Sequence, residues 1–182
     1  MKEGEFVISP ANFQEAFEAA FLMHRRQLLW DTNPRRTAYM MAYIYRTLAD
    51  CFPGVEIEYE HHDIDAVLYR EQCDDDHIEV AIEHENRVET VSKELTNLGR
   101  RQYPLSVVIT YTGNADTWIR QRMQPLLETW MHPLLVIYPA MESSPIHQHR
   151  RGDPVRWDYL LHEQGTWRPL QRQRPAHGEG SA

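Results

Sequence analysis

His61-His62-Asp63-Ile64-Asp65-Ala66-Val67-Leu68-Tyr69, then Cys73-Asp74-Asp75-Asp76, then Ile78-Glu79-Val80-Ala81-Ile82-Glu83-His84-Glu85-Asn86 is the stretch on which the fold turns. Residues 64–69 and 78–83 are short, apolar-rich and partly β-branched. The acidic segment between them is polar, so the pattern predicts an antiparallel hairpin. A loop centred on Asp74 sets Asp65 opposite Glu83, Asp63 opposite Glu85 and Tyr69 opposite Glu79. Side chains alternate along a strand, so these odd-numbered residues share one face while Ile64, Leu68, Val80 and Ile82 take the other. Like charges directly opposed on a sheet repel. Four carboxylates on one face therefore call for a cation, a shared proton or full exposure to water. A hard divalent ion such as Mg²⁺, which takes oxygen ligands, answers that need.

On either side of the hairpin the chain alternates helix and strand. Ser9-Pro10 is a helix-start signal, and Phe13, Phe17, Ala20, Phe21, His24 and Leu28 follow at helical spacing, which predicts a helix over 10–29 behind a short edge strand at Phe6-Val7-Ile8. Asn33-Pro34 repeats the signal, with Ala38, Met41, Ala42, Tyr45, Leu48 and Ala49 carrying a second helix to about Cys51, ended by Pro53-Gly54. Val55-Glu56-Ile57-Glu58-Tyr59-Glu60 alternates and reads as a strand with its acids turned outward. After the hairpin, Asn86 caps a helix over 87–99 on Val88, Val91, Leu95 and Leu98, and 104–111 is an interior strand. A helix over 116–130, a strand over 134–138, a polar linker over 141–153 and a terminal hairpin at 155–161 and 166–170 complete the order, with a disordered tail from 171 to 182. This is an α/β pattern around a mixed sheet.

Composition narrows the class. The chain of 182 residues is 42% hydrophobic and 25% charged, which suits one soluble domain over 1–170. No apolar run of about 18 residues is present to cross a bilayer, and Met1-Lys2-Glu3-Gly4-Glu5 leads into no signal-type core, so no membrane partner and a cytoplasmic location are expected. Cys51 and Cys73 lack CxxC spacing and suggest no disulfide framework. The net charge of −8 is unevenly spread: residues 56–94 hold 14 acids and 3 bases, and the remainder is net positive. Arginine pairs at 25–26, 35–36, 100–101 and 150–151 flank the acidic centre and are suited to phosphates, though surface arginines are common without one. There is no Walker loop, GxGxxG or HExxH, and lone serines make no hydrolase elbow. His61-His62, His84 and His147-Gln148-His149 match no standard structural zinc spacing.

The order helix, strand, Asp-bearing strand, Glu-bearing strand, helix, strand resembles the PD-(D/E)XK nuclease superfamily over residues 34–111, and onward to 139. Its signature, an acid on the second core strand and an acidic-x-lysine motif on the third, maps to Asp65 and to Glu83-His84-Glu85. The resemblance implies a restriction-endonuclease-like αβββαβ core within 34–139, an N-terminal helical extension over 1–33 and the terminal hairpin over 155–170. It implies Mg²⁺ or Mn²⁺ held by Asp65, Glu83 and the His84 carbonyl, with Glu85 orienting or deprotonating water. It implies a nucleic acid partner, DNA foremost, cut in restriction, repair or defence, by a homodimer or by a subunit of a larger assembly. Two departures stand out. No proline precedes Asp65, and Glu85 occupies the lysine position, as in the ExE variant of some restriction endonucleases. The chain's two lysines are Lys2 and Lys93, and Lys93 lies four residues after Glu89, the spacing of a surface ion pair. A catalytically inactive relative serving as a binding or regulatory subunit is the alternative.

Overall fold

The computed structural model describes residues 7–27, 32–85, 90–101, 103–111, 130–140 and 156–170, with single positions between 120 and 128. Helix α1 (Pro10–His24) starts where Ser9 accepts a hydrogen bond from the Asn12 N–H at 3.2 Å and Pro10 supplies a preset φ. It ends at His24, short of residue 29, and His24 itself is satisfied by Thr47 Oγ1 at 2.8 Å. Val7 and Ile8 form no strand; Ile8 instead packs into the core and Val7 faces water.

The second helical run is not uniform. Helix α2 (Asn33–Tyr39) passes into a π-helical segment (Met40–Tyr45) and then α3 (Arg46–Asp50). A π turn widens the helix and is often found at functional sites. Here Met40, Ile44 and Tyr45 point into the core, and the Met41 carbonyl accepts a hydrogen bond from the Tyr59 hydroxyl at 2.7 Å. Gly54, at φ +71°, then makes the reversal into the sheet that a side chain would strain.

Seven strands form one mixed sheet in sequence order: β1 (Glu56–His61), β2 (Ile64–Tyr69), β3 (Ile78–Glu85), β4 (Leu105–Thr110), β5 (Leu134–Pro139), β6 (Trp157–Glu163) and β7 (Thr166–Pro169). Strands β1, β2 and β3 are mutually antiparallel, β3, β4 and β5 run parallel, and β6 and β7 return antiparallel. Helix α4 (Val91–Arg101) makes the crossover from β3 to β4 that a parallel pair requires. Gln164 and Gly165, both at positive φ, close the β6–β7 hairpin in a two-residue turn. The architecture is mixed α/β, with helices on the sheet's two faces.

One face buries Ala66, Leu68, Val80, Ile82, Val107, Ile109 and Trp157 against α1, α2, the π segment and α3. Phe17 and Phe21 meet Trp157 edge-on at 5.5 and 4.9 Å between ring centres. The other face buries Val67, Ala81, Val108 and Val136 under Val91, Leu95 and Leu98 of α4. Each buried Val, Leu or Ile among them contributes roughly 1.5–3 kcal/mol by leaving water. Gly99 lets α4 approach closely, since a Cβ there would meet Trp130 at 2.8 Å.

The β2–β3 register pairs Ala66 with Ile82, Val67 with Ala81 and Leu68 with Val80, which carries Asp65 to Glu83 as the sequence predicts. Two other predicted pairs fail. A bulge between Leu68 and Tyr69 sets Tyr69 opposite Ile78 rather than Glu79. Asp63 lies in the β1–β2 turn at φ +69° and does not oppose Glu85. The expected helix over 116–130 falls largely, and the Asn86 cap, linker and tail wholly, outside the described residues. No helix among the described residues is long and apolar enough to cross a membrane.

Candidate metal and phosphate site

Asp65 and Glu83 share the parity of Val67 and Ala81, so both point to the α4 side of the sheet. On α4, Val91, Leu95 and Leu98 form the buried stripe at i, i+4 and i+7. Glu94, Asn97 and Arg101 run at i, i+3 and i+7 along its flank. That flank meets the start of β2 and presents, in order, an acid, an amide and a guanidinium.

The acid completes a group of three. Glu83 is 2% exposed, and Asp65 and Glu94 are the carboxylates that act on it. Burial first, then the charges of Asp65 and Glu94, push its carboxyl up to about 10. Burial also raises Asp65, but the His84 N–H donates to Asp65 Oδ2 at 2.8 Å and opposes that shift. Glu83 therefore holds a proton at neutral pH. Asn97 Nδ2 donates to Glu94 Oε2 at 3.5 Å and steadies the helix's contribution.

His84 projects to the opposite face. Its ring lies edge-on to Tyr111 at 5.4 Å, and the Arg36 guanidinium covers the other ring's face at 5.1 Å. Burial, then Arg36, pull the imidazole down to about 4, so it is neutral. Its Nδ1 is 3.9 Å from Asp65 Oδ2. Tyr45 is also buried here, and burial, reinforced by Tyr111, Asp65 and Glu83, keeps its phenol protonated.

Past Glu94, a polar pocket of about 190 Å³ is lined by His62, Asp63, Ile64, Asn97, Arg100, Arg101 and Tyr103. Arg101 donates to Asp75 at 3.1 Å and to the Tyr103 hydroxyl at 3.4 Å. Of the arginine pairs singled out in the sequence, 100–101 is the one that lines a pocket beside the carboxylates. Arg36 stacks on Tyr111, while Arg25 and Arg26 are exposed beyond α1 and residues 150–151 are outside the described range.

No family model, curated protein or solved structure matches the chain.

The structure brings Asp65 and Glu83 together and adds Glu94. Glu85 ends β3 opposite Thr110, on the face of Glu83 but two residues beyond it. Among the described residues, the tight groups of three metal-ligating atoms lie elsewhere, around His61. Glu94 escaped the sequence reading because an acid beside an apolar helical stripe looks like any solvated flank. Its one signal was its place, three residues after Val91, on the side of α4 that faces the hairpin.

Proposed function

We propose that this chain is a Mg²⁺- or Mn²⁺-dependent nuclease of restriction-endonuclease-like architecture, hydrolysing phosphodiester bonds in DNA. The observation that carries the reading is the Asp65–Glu83–Glu94 carboxylate group beside the pocket of Arg100 and Arg101. The order α2–β1–β2–β3–α4–β4, with β1 to β3 antiparallel and β4 parallel to β3, supports it.

The donors are carboxylate oxygens, the kind a hard cation takes. Glu83 Oε1 is buried without a hydrogen-bond partner among the described residues, and the crowded carboxylates lower their repulsion by sharing a cation. Asp65, Glu83 and Glu94 would hold the ion, which when bound neutralises phosphate charge and acidifies water. The chain's own residues do the rest. The His84 N–H fixes the Asp65 carboxylate, Asn97 fixes Glu94, and Glu83 gives up its proton on loading, so metal affinity rises with pH. Arg100 and Arg101 hold a phosphate next to the acids. Glu85 orients water.

A second reading, a relative that binds nucleic acid without cutting it, is favoured by glutamate at position 85, where the superfamily places lysine. Purified protein should cut DNA with Mg²⁺ or Mn²⁺ and bind without cutting in Ca²⁺. Glu85→Lys should preserve or create activity. A parent that loads metal yet leaves DNA and RNA intact, with Glu85→Lys equally inert, sinks the enzyme and leaves the binding module.

A further inference from the structure

A second cluster of potential ligands lies at the sheet's β1 edge, away from the three carboxylates. Glu58 and His61 leave β1 three residues apart, and Cys73 comes from the β2–β3 loop. His61 Nδ1 is 3.1 Å from Glu58 Oε1 and 3.4 Å from Cys73 Sγ. Ligand bonds of zinc, about 2.0–2.2 Å to N and O and 2.3 Å to S, place tetrahedral neighbours roughly 3.3–3.6 Å apart. The two separations fall within a few tenths of an ångström of that.

The histidine's other side fits the same reading. His61 is 7% exposed, and its Nε2 has no hydrogen-bond partner among the described residues. Asp75 Oδ1 lies 3.8 Å from it, held there by Arg101 at 3.1 Å. A metal-ligating histidine ordinarily turns its second nitrogen to a carboxylate, which fixes the tautomer and the ring. The positions of Asp75 and of the orphaned Nε2 are thus observations separate from the three ligand atoms. A thiol with an imidazole also selects by softness: sulfur and nitrogen suit Zn²⁺, whereas Mg²⁺ and Ca²⁺ want oxygen alone.

We infer that Glu58, His61 Nδ1 and Cys73 form a Zn²⁺ site, with Asp75 as the carboxylate partner of His61 Nε2 and water in the fourth position. Glu58 is exposed and Cys73 half-exposed, so the fourth position faces solvent. The ion ties the sheet's edge strand to the loop that Arg101 anchors to α4. The site stands whether or not the chain is a nuclease. It uses none of Asp65, Glu83 or Glu94.

The full-length protein, stripped with chelator and titrated with Co²⁺ as a zinc surrogate, tests it. A thiolate-to-cobalt charge-transfer band should appear, vanish on adding Zn²⁺, be lost in Cys73→Ser and persist in Cys51→Ser, since Cys51 is an exposed thiol elsewhere. Asp75→Asn should weaken Zn²⁺ binding about tenfold or more, as loss of an outer-shell partner does. Glu83→Gln should leave the band unchanged. In case Cys73→Ser does not fold, the unmodified protein gives a second measurement: Zn²⁺ should slow alkylation at Cys73 and not at Cys51. No band in the parent, a band surviving in Cys73→Ser, or equal alkylation rates with and without Zn²⁺ would overturn the site.

Discussion

Two clusters of acidic side chains, one around Asp65 and one around His61, solve the same problem differently. Around Asp65 all donors are oxygens, with Glu83 buried and Asp65 and Glu94 half-buried at α4, and repulsion is relieved by a proton held on Glu83. Around His61 the donors are oxygen, nitrogen and sulfur at the rim of the sheet, already linked by hydrogen bonds. The difference teaches how donor chemistry and burial together choose a cation. Crowded carboxylates with an unpartnered oxygen want a hard ion, whereas a thiol and imidazole at tetrahedral spacing want a softer one.

The largest expected effect separates the two by activity. Asp65→Ala and Glu83→Ala should each lower Mg²⁺-dependent DNA cleavage by about 10²-fold or more, the scale seen when a charge-stabilising group is removed. Glu58→Gln should leave cleavage near the parent level. Rates on one DNA substrate at matched folding check this, and equal losses from both clusters would merge them into one functional unit.

Stability against pH is the next way to sharpen the contrast. Glu83 binds its proton more tightly folded than unfolded, so between its ordinary value near 4.5 and about 10 the folded state carries the extra proton. Stability therefore falls as pH rises through that window. Metal-free Glu83→Gln should remove at most about 4 kcal/mol of this decline between about pH 5 and 8, from 1.36 kcal/mol per unit. Urea melts at the two pH values measure it; a parent that is flat over the range refutes the buried proton.

His84 has the opposite sign. Its pKa falls from 6.5 to about 4, so the unfolded chain carries the extra proton and stability drops as pH falls through that window. His84→Phe should recover about 2 kcal/mol of the change between about pH 5 and 6.5. In the parent the two slopes nearly cancel there, leaving the Glu83 decline to dominate above it. A parent whose stability rises steadily to pH 8 would contradict the Glu83 assignment, and a His84→Phe protein with an unchanged profile below pH 6.5 would contradict that of His84.

How much of this was legible beforehand depends on what each feature needed. The Asp65–Glu83 register followed from strand alternation and the loop centre, both local. The bulge at Leu68/Tyr69 and the positive φ of Asp63 did not, because a slip of one residue at a strand end leaves the apolar pattern intact. The π segment was invisible because Met41, Ala42 and Tyr45 fit ordinary helical spacing over so few residues. Histidine spacing along the chain reveals only ligands that are close in sequence. Glu58 and Cys73 meet only because the β1–β2 hairpin folds the intervening chain back, and Glu94 reaches Glu83 only through the docking of α4.

The smallest expected effect concerns the bridge between the clusters. Asp75 accepts from Arg101 and faces His61 Nε2, while Arg101 lines the polar pocket beside His62 and Asn97. Asp75 is 53% exposed and Arg101 35%, so the pair's own contribution to stability is about 0–1 kcal/mol, as for other solvent-exposed pairs. A double-mutant cycle of Asp75→Asn and Arg101→Gln should return a coupling in that range and shrinking with salt. Its functional readout should be larger than its stability readout. Arg101→Gln removes one cation from the pocket, so DNA binding in Ca²⁺ should weaken and its dependence on salt should flatten by about one phosphate contact. Asp75→Asn keeps the guanidinium and frees it from a competing carboxylate, so it should bind DNA as tightly as the parent or better. If both substitutions weaken DNA binding equally, Arg101 acts by holding the loop in place rather than by meeting phosphate, and the pocket beside the carboxylates is a structural joint.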